Sequence, residues 1–448
     1  MDIVLFKEAV IARCVELGIT DYEIYYQAAE STSVGAFQRE INQFASSNEG
    51  GVCFRCIVDG KMGYASTEEL SREEAARIVD AAVDNASALE TDDPVFLGEG
   101  GQRYAPLDME VYDLPGTEEL IAAVLDTQKA VYEADSAVVD GTATQGICER
   151  SQIMICNSKG LELSYVNQVA GLIAVAVVSR DGEMANGLKL RLAELSAIDR
   201  KALAEEAAAK ALEKLGGQVP QTGVYDVVLS PKAMADLLQT YASIFSSEVA
   251  QKGLSKLADA EGTVIASEVV TIVDDPFHPD NPMPIHFDAE GSPTGRKLVV
   301  EQGRLETLLY NLKTANKAGK HTTGNASKAN YKAAVTVRPF TLYLAPGELS
   351  REQLLHRVGN GIYVDSLDGL HAGADAVSGD FSLQSSGYLI RDGVLAERIR
   401  GFTVAGNFYD LLKKIVAVAD DVQLPMALGM TAFGSPTVLV EGLSVAGK

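Results

Sequence analysis

Basic residues are scarce in this chain: 38 Lys and Arg stand against 62 Asp and Glu in 448 residues, a formal charge of −24. No basic block offsets the acids, and neutralising phosphates needs a cationic stripe, so direct nucleic-acid binding is not expected. An anionic membrane surface is disfavoured for the same reason. No apolar run approaches the roughly 18 residues that a spanning helix needs. Cysteine is sparse and odd in number, at five, which fits a reducing compartment and no structural disulfide. The opening residues MDIVLFKEAVIARCVELG put acids inside the apolar stretch and offer no small-residue cleavage site, unlike a secretory signal. A cytoplasmic location is expected.

Histidine is equally sparse: His278, His286, His321, His356 and His371 are the whole set. No His-Glu dipeptide occurs, which removes the HExxH class of zinc hydrolase. GxSxG, Walker A and a GxGxxG placed between strand and helix are also missing, leaving serine hydrolase, P-loop and dinucleotide readings without a motif. The serines at 378, 382, 385 and 386 have no placed histidine and acid beside them, and read as turn and strand residues.

What is present is a chain 47% hydrophobic and 22% charged, enough for two or three domains at roughly 150 residues each. Phe6, Val10, Cys14 and Leu17 recur at helical spacing, with Gly18 placed to end the helix. Extended segments follow at 22–29, 33–38 and 51–66, the last folding back at Asp59-Gly60, a dipeptide suited to a tight hairpin. Ser71 with Glu74 reads as a capping box opening a second helix. After a Gly/Pro-rich connector over 94–116 the order repeats: a helix from Thr117, strands around 137–147, 152–156 and 169–189 with a hairpin at Asp181-Gly182, then the helix DRKALAEEAAAKALEK. The two Asp-Gly turns lie 122 residues apart. We read residues 1–220 as an α/β domain of two similar helix-plus-hairpin modules, 1–92 and 117–217, related by an internal duplication. Gly216-Gly217 and Pro220 close it. Residues 221–448 change texture to short β-branched segments and form a second, β-rich domain with one clear helix over 231–251. The fold class expected is α+β.

Two clusters invite a chemical reading. In VCFRCIV, Cys53 and Cys56 have the spacing of a metal or redox pair, but the strand period of two puts Val52, Phe54 and Cys56 on one face and Cys53 on the other. Core packing is the better account. Cys14 belongs to its helix's apolar stripe, and Cys148 and Cys156 are expected to flank a hairpin without an acid or base partner. The stretch DDPFHPDNPMPIHFD gathers Asp274, Asp275, His278, Asp280, His286 and Asp288 in a proline-stiffened loop. It reads either as a metal site or as a solvated acidic loop. His356 reads as a residue at a helix end, near the C-terminal dipole.

The C-terminal half carries a longer signature. TTGNASKANY at 322–331 and GIYVDSLDGLHAGADAVSGDFSLQSSGYLIRDGVLAERIRGFTVAGNFYDLL at 361–412 resemble the TldD/PmbA family, also known as modulators of DNA gyrase. YDVVLSP at 225–231, VVTIVDD at 269–275 and FDAEGSPT at 287–294 extend the resemblance nearly end to end. It implies two pairing branches: a TldD-type subunit with a zinc-protease motif HExxxH on the helix after the YDVVLSP-like strand, and a PmbA/TldE-type subunit without it. Here Gln239 and Ile244 stand at the two ligand positions and Thr240 at the base position. None of them can hold zinc or take a proton from its bound water. The expected C-terminal cysteine ligand is also missing, with Met430 or Thr431 in its place. The resemblance also points away from a metal in the 274–288 loop, since it places the zinc elsewhere.

The chain therefore resembles the PmbA/TldE-type subunit, with no cofactor or metal of its own, zinc in a TldD-type partner, and extended or unfolded peptides as substrates. The alternative is a stand-alone homodimer that binds peptides or modulates gyrase without proteolysis. His321, Thr323, Gly324 and Asn325 follow a basic stretch (Lys313, Lys317, Lys320) and read either as a substrate-contacting loop, with Gly324 permitting close backbone approach, or as a plain turn.

Overall fold

A computed structural model describes residues 1–91, 93–107, 112–425 and 431–448. It shows an α+β protein whose described residues divide into two compact units. Unit one comprises 1–215 with 285–293 and 311–336; unit two comprises 216–284, 294–310 and 337–448. Segments far along the sequence thus return to the first unit. No helix among the described residues is long and apolar enough to cross a membrane.

In unit one the apolar stripe of the first helix, α1 (Ile3–Leu17), buries Phe6, Val10 and Cys14, and Gly18 ends it at φ 69°. Leu17 is exposed, one position off the stripe's centre. Then come β1 (Tyr22–Phe37), β2 (Glu40–Val58), β3 (Lys61–Thr67) and α2 (Arg72–Ala88). The same order recurs in α3 (Thr117–Ala134), β4 (Ala143–Asn157), β5 (Glu162–Arg180), β6 (Glu183–Leu192) and α4 (Arg200–Glu213). All six strands form one antiparallel sheet ordered β3-β2-β1-β4-β5-β6, so the halves join through β1 and β4. Asp59-Gly60 and Asp181-Gly182 make the expected turns with positive φ at both residues.

Several expectations change. The segments at 22–29 and 33–38 are one strand, as are 137–147 and 152–156 beyond Ala143. Cys148 and Cys156 consequently lie eight residues apart on one strand, about 26 Å at strand rise, and flank no hairpin. The real turn follows at 158–161. The capping box at Ser71 is half-formed: Ser71 Oγ accepts from Glu74 N, but the Glu74 carboxylate is taken by Thr67 and Arg77.

One sheet face carries the four helices. Val52, Phe54 and Cys56 pack there with α1 and α2, while Val34, Cys148 and the even-numbered residues Ala170 to Val178 pack with α3 and α4. Cys53 points to the opposite face, which is covered near Tyr25, Ile153 and Ile155 by Phe287 and Tyr331 from the returning segments. A buried ion network lies beneath them. Arg55 Nε donates to Glu23 Oε1 at 2.7 Å, and its Nη1 lies 3.9 Å from Glu290 Oε1. Glu23 Oε2 accepts from Asn157 Nδ2, and Glu290 Oε2 from Leu312 N.

Unit two holds a six-stranded sheet ordered 394–407, 380–391, 361–368, 223–229, 438–446, 415–418, in which Thr403–Ala405 also pair with Ser444–Ala446 and close the sheet on itself. A five-stranded sheet is centred on Ile272–Asp274. The helix expected over 231–251 is broken into α5 (Pro231–Tyr241), a 3-10 turn (Ala242–Phe245) and α6 (Ser247–Gln251).

Replacing Arg55 with Met strands two buried carboxylates and is expected to cost about 3–5 kcal/mol. Burial raises the Glu290 carboxyl and Arg55 pulls it back. In Arg55→Met its folded-state pKa therefore moves further above the unfolded value, which destabilises the ionised form and is relieved on protonation. Denaturant unfolding followed by far-UV circular dichroism should show the variant's deficit shrinking as pH falls from about 8 to about 5. A pH-independent deficit would contradict this.

Candidate functional site

The positions marked by the resemblance lie on α5 and the turn after it. Ser230 starts this helix: its Oγ accepts from Ala233 N and donates to Asp365 O, and Pro231 occupies the first turn, where its missing N–H costs nothing. Met234, Leu237, Leu238 and Tyr241 form the buried stripe. Tyr241 stacks on Phe408 at 4.5 Å and donates to Asp380 O; burial pushes its hydroxyl up to about 12. One turn before the end, burial lifts the Asp236 carboxyl above its usual range although Lys232 Nζ is 2.5 Å away.

This geometry disperses the three motif positions. Gln239 falls opposite the stripe and is exposed. Thr240 Oγ1 donates back to Asp236 O at 2.8 Å, so its hydroxyl is committed to the helix backbone. Ile244, in the 3-10 turn after Tyr241, continues the buried stripe of Leu237 and Tyr241 and is fully buried. One end of the motif faces solvent and the other faces the core. These residues do not fit a zinc ion: the set contains no imidazole, carboxylate or thiolate, and its members do not converge. Thr431 Oγ1 donates to Pro339 O; Met430 lies outside the described residues.

The acidic loop is mixed in exposure: Asp280 is exposed, while Asp274 and Asp288 are buried. Asp274 is fully buried, accepting from Phe340 N, Thr341 N and Lys297 Nζ. Asp275 accepts from Phe277 N. Asp288, in unit one, accepts from Glu290 N, Ser292 N and Ala326 N, all at 2.9 Å. Burial and neighbouring Glu290 raise its carboxyl, and the three N–H donors oppose that. These carboxylates bind the chain's own backbone. His278 Nδ1 accepts from Asp280 N, and His286 packs edge-on to Tyr104 and Tyr165, with burial lowering its pKa. Among the described residues no group of three or more His, Cys, Asp or Glu is placed to hold a metal.

In the 321–325 loop, His321 is exposed while Gly324 and Asn325 are buried. Thr323 Oγ1 donates to Asn325 Oδ1 at 2.8 Å, Gly324 N donates to Thr322 Oγ1, and Gly324 sits at φ 68°. Asn325 has no exposed surface, so its amide serves the turn here.

Residues 222–447 match the family model of the PmbA/TldA metallopeptidase C-terminal domain. Residues 22–86 match domain 1 of the same family and 112–215 its central domain. The chain belongs to the PmbA/TldA metallopeptidase family. The matches to domain 1 and the central domain fall one on each half of the unit-one sheet. A Metalloprotease PmbA homolog of Haemophilus influenzae is 24% identical over 420 residues, 90% of this chain and 88% of that protein. A metalloprotease of Methanothermobacter thermautotrophicus is 27% identical over 86% of this chain and 85% of its own length. Among solved structures, a putative modulator of DNA gyrase from Thermotoga maritima superposes with a TM-score of 0.89 at 30% identity, covering 99% of this chain and all of the other. TldE from Thermococcus kodakarensis shares the fold, with a TM-score of 0.86 at 22% identity over 98% of this chain and all of the other.

Asn325→Ala should lower stability by about 1–3 kcal/mol, because it removes a fully buried amide whose Oδ1 accepts from Thr323 Oγ1. Thermal melts measure this; unchanged stability with weakened peptide binding would restore the substrate-contact reading.

Proposed function

We propose that this chain is the PmbA/TldE-type subunit of a TldD/TldE-type metalloprotease, working in the cytoplasm with a TldD-type partner on extended or unfolded peptides. The carrying observation is the dispersal of the motif positions: Gln239 at the surface, Thr240 bonded to its own helix, Ile244 in the core. A metallopeptidase fold without convergent ligands supplies shape and contacts rather than hydrolytic chemistry, and the zinc belongs to the partner.

Two further findings support this reading. The fold neighbour from Thermococcus kodakarensis carries the name TldE, and TldD homologues such as that of Buchnera aphidicola align at 26% identity over 54% of this chain. All five cysteines are free and buried, as suits a reducing compartment. Burial raises the Cys14, Cys56, Cys148 and Cys156 thiols, so they are poor nucleophiles.

The test is a peptidase assay on casein or an unstructured peptide, with this chain alone, a TldD-type subunit alone, and both together. Turnover is expected only in the mixture. Thr240→Ala in this chain should leave that turnover nearly unchanged, since the position holds no base. Turnover by this chain alone, or its loss in Thr240→Ala with assembly intact, would overturn the proposal. An assembled homodimer that binds peptide and gives no turnover with any partner would favour the stand-alone reading.

A further inference from the structure

Arg55 and Lys328 are the buried cations among the described residues. Arg55 faces the Glu23 carboxylate, whereas the Lys328 amine faces an aromatic ring and a thiol. Its Nζ lies 4.8 Å from the centre of the Tyr25 ring and is hydrogen-bonded to the Cys53 side chain. Tyr25 and Cys53 are register partners on β1 and β2, and cross-strand partners have Cβ atoms about 5 Å apart. Amine, ring and thiol therefore meet on the sheet face that Phe287 and Tyr331 cover.

The contact joins two parts of the chain that are far apart in sequence. Cys53 belongs to the sheet, and Lys328 to the returning segment 311–336. Two anchors hold Lys328 in place. Ala326 N donates to Asp288 Oδ2 at 2.9 Å, and Tyr331 packs on Gly51, where an added Cβ would lie 2.5 Å from its ring. A lysine normally extends its charged head to water, yet Lys328 and Cys53 are each 5% exposed. Burial lowers the Lys328 pKa; Cys53 and Glu23 oppose that, and Arg55 reinforces it. An uncharged amine keeps the lone pair that an ammonium lacks. The second cysteine with a lysine nearby is different: beside Cys156, Lys7 Nζ donates to Glu162 at 2.7 Å, a bond that favours its protonated form.

We propose that Cys53 and Lys328 form an oxidation site, at which hydrogen peroxide builds a covalent Sγ–O–Nζ bridge between β2 and the returning segment. One peroxide oxygen goes to the Cys53 sulfur, giving a sulfenic acid and one water. A second peroxide transfers an oxygen to the Lys328 amine, giving a hydroxylamine and a second water. The hydroxylamine oxygen then bonds to the sulfenic sulfur, whose hydroxyl leaves with the hydroxylamine proton as a third water. Two peroxides thus accept four electrons, two from sulfur and two from nitrogen, and excess dithiol returns them. Hydrogen peroxide is uncharged and little larger than water, so it enters a site closed to bulkier reagents. The bridge makes the hold of 311–336 on the sheet dependent on oxidant, and it requires neither a partner subunit nor a metal.

The experiment treats the full folded chain with hydrogen peroxide, removes the oxidant with catalase and blocks remaining thiols with N-ethylmaleimide. Intact mass under non-reducing conditions should show a gain of one oxygen less two hydrogens, about 14 Da, that dithiothreitol removes. A tryptic map should contain one cross-linked pair of peptides joining residues 53 and 328, with cleavage after Lys328 suppressed. Cys53→Ser and Lys328→Arg should each abolish the pair, as should the same treatment in denaturant, and the bridged chain should melt above the reduced one. Several results would overturn the proposal: Cys53 carrying one or two whole oxygens while trypsin still cuts after Lys328, a disulfide from Cys53 to another cysteine, an unmodified Cys53, or a gain of about 14 Da that survives in Cys53→Ser.

Discussion

Unit one depends on a buried guanidinium. Arg55 sits on β2 with its Nε on Glu23 and Glu290 nearby, all three almost without solvent exposure. Charges removed from water are tolerable only when paired and bonded on every side that matters. Glu23 has a second donor in Asn157, and Glu290 accepts from the Leu312 backbone. Asp288 extends the scheme by gathering three backbone N–H groups from 290, 292 and 326. Two stretches distant in sequence, 285–293 and 311–336, are thereby held to the first unit's sheet, and with them the 321–325 loop and the residues around Tyr331.

Local features of this architecture were legible in the sequence because their causes are local. The apolar stripe of α1, the Asp-Gly hairpins and the strand parity separating Cys53 from Cys56 each arise within a few residues. The hairpin joining β1 to β2 was not legible, since Gln38 and Arg39 both take positive φ without the Asn or Gly that normally marks such a turn. For that reason the exposed half of β2 went unread. The return of 285–293 and 311–336 to unit one has no local signal at all. It is decided by Arg55 and Asp288, whose partners lie hundreds of residues away or across a loop.

The candidate site divides the same way. At 239, 240 and 244, the positions that the resemblance marks, the sequence has Gln, Thr and Ile, none of them a zinc ligand or a base. Their dispersal follows from helical spacing: at about 100° per residue Gln239 and Ile244 lie about 140° apart, so one faces solvent while the other falls on the stripe of Leu237 and Tyr241. Asn325 had the composition of either a recognition loop or a turn; it is fully buried and accepts from Thr323 Oγ1 within the loop. The acids of 274–288 had the composition of a metal site; their oxygens are occupied by the backbone they organise. A family fold kept intact around a dispersed motif fits a subunit that shapes and holds, with hydrolysis done elsewhere.

Zinc stoichiometry tests this account most directly. The chain, purified free of metal, reloaded with excess zinc and desalted, can be measured by elemental analysis beside the same chain assembled with a TldD-type subunit. The account predicts no stoichiometric zinc on the isolated chain and one zinc per assembled pair. One tightly held zinc per isolated chain, accompanied by peptide hydrolysis, would contradict it.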